Sequence, residues 1–139
     1  MAGEPILVVD DNALNLKVSR LLLASEGYDV RTAADSQEAL ATLRSFHPRL
    51  ILVDIRMPGM DGLELTRRLR TDPSMEDVVI LALTAYAMRG DEDRALGAGC
   101  DGYIAKPIDT RRLPQLIRGY LAQPLAHARG SDADSEPRA

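Results

Sequence analysis

The sequence predicts an α/β fold: a doubly wound, five-stranded parallel sheet packed in three layers. Two observations predict it. Short apolar runs alternate with helical patterns five times along the 139 residues, the signature of parallel strands joined by crossover helices. The runs also differ in polarity. Those at 6–9, 50–53 and 78–83 are continuously apolar, as strands covered on both faces are, whereas 28–33 alternates and 103–105 is short. The second and fifth strands therefore belong at the edges. Of the two common doubly wound orders, 2-1-3-4-5 leaves those two outside.

The helices follow in turn. Leu14, Val18, Leu21 and Leu22 make an i, i+4, i+7, i+8 stripe that predicts the packed face of the first, leaving Leu16 exposed on the other side. Asp35 with Glu38 caps the second, turning Ala39, Leu40 and Leu43 inward, and Asp61 caps the third, turning Leu65 and Leu69 inward. On that third helix Arg67, Arg68 and Arg70 read as a solvated face. The fourth, 88–99, carries two internal glycines and few large apolar groups, so it is the helix most easily displaced. Leu113, Leu116, Ile117, Tyr120 and Leu121 define the packed face of the fifth. Past Leu121 nothing is periodic, so residues 1–121 are expected to form the domain and 122–139 a flexible tail.

Composition narrows the function. A net charge of −4 with dispersed basic residues argues against nucleic-acid binding. The single cysteine, Cys100, excludes an internal disulfide or a cysteine zinc site and fits a small filler after the fourth helix. His47 and His127 lack sequence neighbours that would make them metal ligands or phosphohistidines. Early acids and short apolar runs predict no signal peptide and no membrane span, hence a cytoplasmic protein.

The chemistry is expected where the strands end, because open parallel sheets bind ligands outside their carboxyl ends. The first strand ends in Asp10-Asp11, the third in Asp54, the fourth in Thr84, and the fifth runs into Lys106-Pro107. In the inferred order these fall on one rim. Three clustered carboxylates repel, and one lysine cannot neutralise them, so a divalent cation is implied. Hard oxygen donors without His or Cys favour Mg²⁺ over zinc. Asp54, on the central strand, is the candidate nucleophile toward phosphorus, with Lys106 and Thr84 binding phosphoryl oxygens.

Four blocks in order, Val8-Val9-Asp10-Asp11-Asn12, Val53-Asp54 through Asp61-Gly62, Leu83-Thr84-Ala85 and Tyr103-Ile104-Ala105-Lys106-Pro107, make the sequence resemble the receiver domain of two-component response regulators. That resemblance implies a flavodoxin-like (βα)5 sandwich and a phosphorelay switch. Asp54 would be the phosphoacceptor; Asp10, Asp11, Asp54 and the main-chain carbonyl of Arg56 would hold Mg²⁺. Thr84 and Lys106 would bind the phosphoryl group. Tyr103 would be the switch aromatic, Ala85 would leave room for its motion, and Lys106-Pro107 would be cis. Asn12, Asn15 and the stretch from Thr84 to Asp91 most resemble single-domain cell-cycle regulators and receivers of hybrid kinases.

The implied partners are a histidine kinase or phosphotransfer protein, docking near the first helix and Leu16, and a downstream protein or second copy on the fourth helix, fifth strand and fifth helix. Arg56 and Tyr86 are candidates to fence the phosphoryl group from water. Two other classes compete. A Mg²⁺-dependent phosphohydrolase with Asp54 as nucleophile would need a substrate-covering cap, and the short connections provide none. An unphosphorylated adaptor of the same fold would have no use for the complete acidic site.

Overall fold

The structure is a computed structural model describing residues 3–84 and 89–122. Five parallel strands, β1 (Pro5–Val9), β2 (Asp29–Ala33), β3 (Leu50–Asp54), β4 (Val79–Thr84) and β5 (Gly102–Ala105), lie in the order β2-β1-β3-β4-β5. The helices are α1 (Ala13–Ser25), α2 (Ser36–Thr42), α3 (Gly62–Arg70), α4 (Arg89–Ala98) and α5 (Leu113–Ala122), with a short 3-10 turn at Pro73–Met75. The predicted fold and strand order are both observed. The central strands β3 and β4 are buried throughout, while β2 and β5 alternate, which is why polarity alone separated edges from centre.

Alternation along the strands divides the core in two. Leu7, Val9, Ile51, Val53, Ile80 and Ala82 face α2, α3 and α4, meeting Ala39, Leu63, Leu65, Leu69, Ala95 and Ala98. Ile6, Val8, Leu50, Leu52, Leu81 and Leu83 face α1 and α5, meeting Leu23, Leu113, Ile117 and Leu121. Helix α3 begins with a complete capping box between Asp61 and Glu64, and α2 is capped by Asp35 accepting from the Glu38 amide. Helix α5 runs through Ala122; the rest of the expected tail and His127 lie outside the described residues.

Two helix faces differ from expectation. On α1 the buried positions are Ser19 and Leu23, with Leu16 and Leu22 partly buried against the core, whereas Leu14 (67% exposed), Val18 and Leu21 face out. The helix carries apolar residues on two faces, and a serine within the inward one disguised it; Leu16 is therefore a packing residue. Arg70 is not solvated. Its guanidinium pairs with Asp101 at 2.9 Å and donates to the carbonyls of Gly99, Met75 and Val78, fastening α3 to the segments flanking β4 and β5. Its neighbours Arg67 and Arg68 are exposed.

Candidate phosphoryl-transfer site

Asp10 follows β1 and is fully buried. Its carboxylate accepts from the Asn12 amide at 2.9 Å and the Asn15 side-chain amide at 3.3 Å, so the start of α1 holds this acid in place. Asn12 also caps α1 by accepting from the Asn15 main chain. Asp11 stands exposed on the rim, and Asp54 is the buried last residue of β3. One carboxylate oxygen from each of Asp10, Asp11 and Asp54 lies within 4.8 Å of the others.

Asp54 Oδ1 accepts from the main-chain amide of Arg56 at 3.2 Å, and Oδ2 accepts from Lys106 Nζ at 2.9 Å. The same ammonium is 3.4 Å from Asp10 Oδ2. Sheet register explains the convergence: Asp54 pairs with Leu83, Thr84 pairs with Ala105, and Lys106 is next along the chain. The Lys106–Pro107 peptide bond is cis.

The electrostatics do not favour an ionised Asp54 by themselves. Burial pushes its carboxyl above the ordinary range; the hydrogen bond and charge of Lys106 pull it back, the charge of Asp10 pushes it up again, and the net shift is upward. Burial pulls the Lys106 ammonium down, but Asp54 and Asp10 outweigh this and leave it raised. An isolated ion pair would lower the acid, so the upward shift of Asp54 means that desolvation and the second acid exceed what one lysine supplies. Three hard-oxygen donors left short of positive charge fit a Mg²⁺ ion well.

Thr84, buried at the end of β4, donates from Oγ1 to Asp91 Oδ2 at 3.4 Å. Asp91 is also buried, with Arg94 at 3.2 Å and Arg56 at 3.6 Å. Sequence reasoning missed it. The available signal was the i, i+4, i+7 series Asp91, Ala95 and Ala98, which puts the aspartate on the packed face of α4. Arg56 projects its side chain largely into solvent beside the site. Tyr103 is 39% exposed, and its phenol is raised chiefly by a hydrogen bond with Glu92 of α4. Ala85 and Tyr86 lie outside the described residues. Cys100 is buried beside Thr66, and burial pushes its thiol up to about 11. His47 has an acidic neighbour after all, Asp77 at 3.9 Å, but both are well exposed and precede β3 and β4, at the opposite ends of those strands from the site.

Two hollows flank the acids. One, of about 410 Å³, is lined by Leu14, Asn15, Val18, Lys106, Pro107 and Ile108; the other, of similar volume, is lined by Ile55, Arg56, Met57, Pro58, Asp61 and Arg94.

The model of the response regulator receiver domain matches residues 6–118. The polar-differentiation response regulator DivK of Brucella ovis is 41% identical over 116 residues, covering 84% of this chain and 94% of that protein. Among solved structures, the receiver domain of sensor histidine kinase PA1611 from Pseudomonas aeruginosa, with a magnesium ion coordinated in its active-site cleft, is 36% identical. It has a TM-score of 0.78 and covers 88% of this chain and all of that one. The chemotaxis response regulator CheY4 of Vibrio cholerae is 28% identical with a TM-score of 0.80, over 85% of this chain and 98% of that one.

Proposed function

The chain belongs to the response regulator receiver family, and from that premise we propose that Asp54 is its phosphoacceptor, with Asp10, Asp11, Asp54 and the main-chain carbonyl of Arg56 as Mg²⁺ ligands. Receivers are signalling switches rather than classical enzymes, and they work with histidine kinases or phosphotransfer proteins. The observation that carries the residue assignment is the 2.9 Å contact of Lys106 with Asp54 inside a cluster of three acids.

A carboxylate oxygen of Asp54 attacks the phosphorus of a phosphohistidine, the P–N bond breaks, and the imidazole leaves with the electron pair. Bound Mg²⁺ would offset the charge of the acids and of the phosphoryl oxygens. Lys106 exchanges its contact with Asp54 for a phosphoryl oxygen, and the Thr84 hydroxyl donates to another. Tyr103 then turns inward past Ala85. The chain also catalyses its own dephosphorylation by water, which Arg56 and Tyr86 slow by fencing the group.

The histidine-bearing partner docks on the outward face of α1, where Leu14, Val18 and Leu21 are exposed and the hollow beside Pro107 and Ile108 reaches Lys106. The signal leaves through α4, β5 and α5, toward a downstream protein or a second copy. No described helix is long and apolar enough to cross a membrane, and we place the protein in the cytoplasm.

The test is labelling by acetyl phosphate with Mg²⁺. Stoichiometric, chelator-sensitive labelling that Asp54→Asn abolishes is expected. Equal labelling of both proteins would remove Asp54 from its role, and sustained multiple turnover on unrelated phosphoesters would favour a phosphohydrolase.

A further inference from the structure

We propose that Asp91 is the resting-state acceptor of the switch hydroxyl: Thr84 donates its one hydroxyl hydrogen bond to Asp91 on α4 until a phosphoryl oxygen on Asp54 accepts that hydrogen bond instead. The inference rests on the phosphoacceptor reading of Asp54 and makes Asp91 a positioning residue.

Burying a carboxylate is costly, and Asp91 is only 4% exposed. Helix-end electrostatics do not account for the burial. The first turn of α4 also carries Glu92, and Asp93 follows, both more exposed and able to face the helix N-terminus from solvent. What burial gives Asp91, and neither neighbour, is the hydroxyl of Thr84 at 3.4 Å.

A hydroxyl has a single hydrogen to donate, so donation to Asp91 and donation to a phosphoryl oxygen exclude each other. At 3.4 Å the resting bond is long and readily broken, and an anionic phosphoryl oxygen at ordinary hydrogen-bond distance is a charged acceptor that outcompetes it by geometry. Release does not strand the Asp91 charge, because Arg94 at 3.2 Å and Arg56 at 3.6 Å remain beside it. The switch hydroxyl therefore moves its hydrogen bond between two supported acceptors. Its departure removes one link between the end of β4 and a helix whose buried anchors include small Ala95 and Ala98.

The test is a double-mutant cycle read by affinity for beryllium fluoride, a phosphoryl mimic, with Mg²⁺ present, in wild type, Asp91→Ala, Thr84→Val and the double variant. Asp91→Ala should bind the mimic roughly fivefold more tightly, the scale of one hydrogen bond of ordinary net strength, as befits a contact of 3.4 Å, and most of that gain should vanish in the Thr84→Val background. Asp91→Asn, nearly isosteric, should shift affinity the same way but less, which covers a folding defect in the alanine variant. In metal-free protein without mimic, amide exchange in the first turn of α4 should quicken equally in Asp91→Ala and Thr84→Val, and no further in the double variant. An equal gain in both backgrounds would mean simple removal of negative charge and would overturn the latch, as would no gain or weaker binding. If wild type binds the mimic and Asp91→Ala is unchanged, the latch alone fails. If wild type does not bind it, the phosphoacceptor reading fails and the latch with it.

Discussion

Asp54 is poised because opposed influences act on one carboxylate: burial and Asp10 raise it, Lys106 lowers it, and the sum is upward. Its position is fixed from behind by Gly62. A Cβ added there would fall well inside van der Waals contact of the Asp54 carbonyl oxygen, so the first turn of α3 approaches the end of β3 more closely than any side chain permits. Gly62→Ala should therefore lower stability by about 2 kcal/mol in urea unfolding and reduce acetyl phosphate labelling as well, since relief of the clash displaces Asp54 itself. Loss of stability with normal labelling would show that the strand end does not move. Ser19 presents the opposite case. It is 1% exposed, and its hydroxyl finds no partner among the described residues. A buried unsatisfied hydroxyl is costly, and alanine is the better helix former, so Ser19→Ala should raise stability by about 1 kcal/mol.

At the scale of elements, α1 shows where sequence patterning succeeds and where it stops. The existence of the helix was legible from its apolar spacing, but two faces satisfied that spacing, and only packing against β1 and β2 selects the one with Ser19 and Leu23. The face left outside is the proposed docking surface. Leu14→Lys with Val18→Lys should leave the melting temperature within a degree or two, because both side chains are exposed, yet slow phosphotransfer from a histidine donor without altering labelling by acetyl phosphate. Equal slowing with both donors would place the defect in the site. Arg70 reads as one of three surface arginines because sequence spacing cannot show that the carbonyls of Met75, Val78 and Gly99 converge on it. With Asp101 also largely buried, Arg70→Ala should cost about 3 kcal/mol, and adding Asp101→Ala should cost far less than its effect alone.

For the whole molecule, the strand order is what makes the site, since it sets the ends of β1, β3 and β4 side by side with Lys106 next to them. That much was legible because a change from apolar to acidic at a strand end is local and the order follows from edge polarity. Asp91 was not, because Asp91-Glu92-Asp93 looks like a solvated acidic run until the sheet fixes the phase of α4. Concentrating acids on one rim also links stability to pH. The raised pKa of Asp54 means the folded chain holds that proton more tightly than the unfolded chain does. Its stabilising contribution is thus complete below the unfolded carboxylate range and is lost as pH rises through the folded value. Lys106, also raised, keeps its own proton throughout this range and would lose its contribution only as pH rises through its folded value, above an unfolded value near 10.4. Mg²⁺ requires ionised ligands, and at a hundred times its Kd it would add about 2.7 kcal/mol. Melting in chelator and in saturating Mg²⁺ should therefore nearly coincide at pH 4 and separate by about 5 °C or more at pH 7.5. Asp54→Asn, freed of one buried charge, should melt no lower than wild type in chelator at pH 7.5 and show a smaller Mg²⁺ shift. A shift independent of pH, or unchanged in that variant, would place the cation away from these three acids.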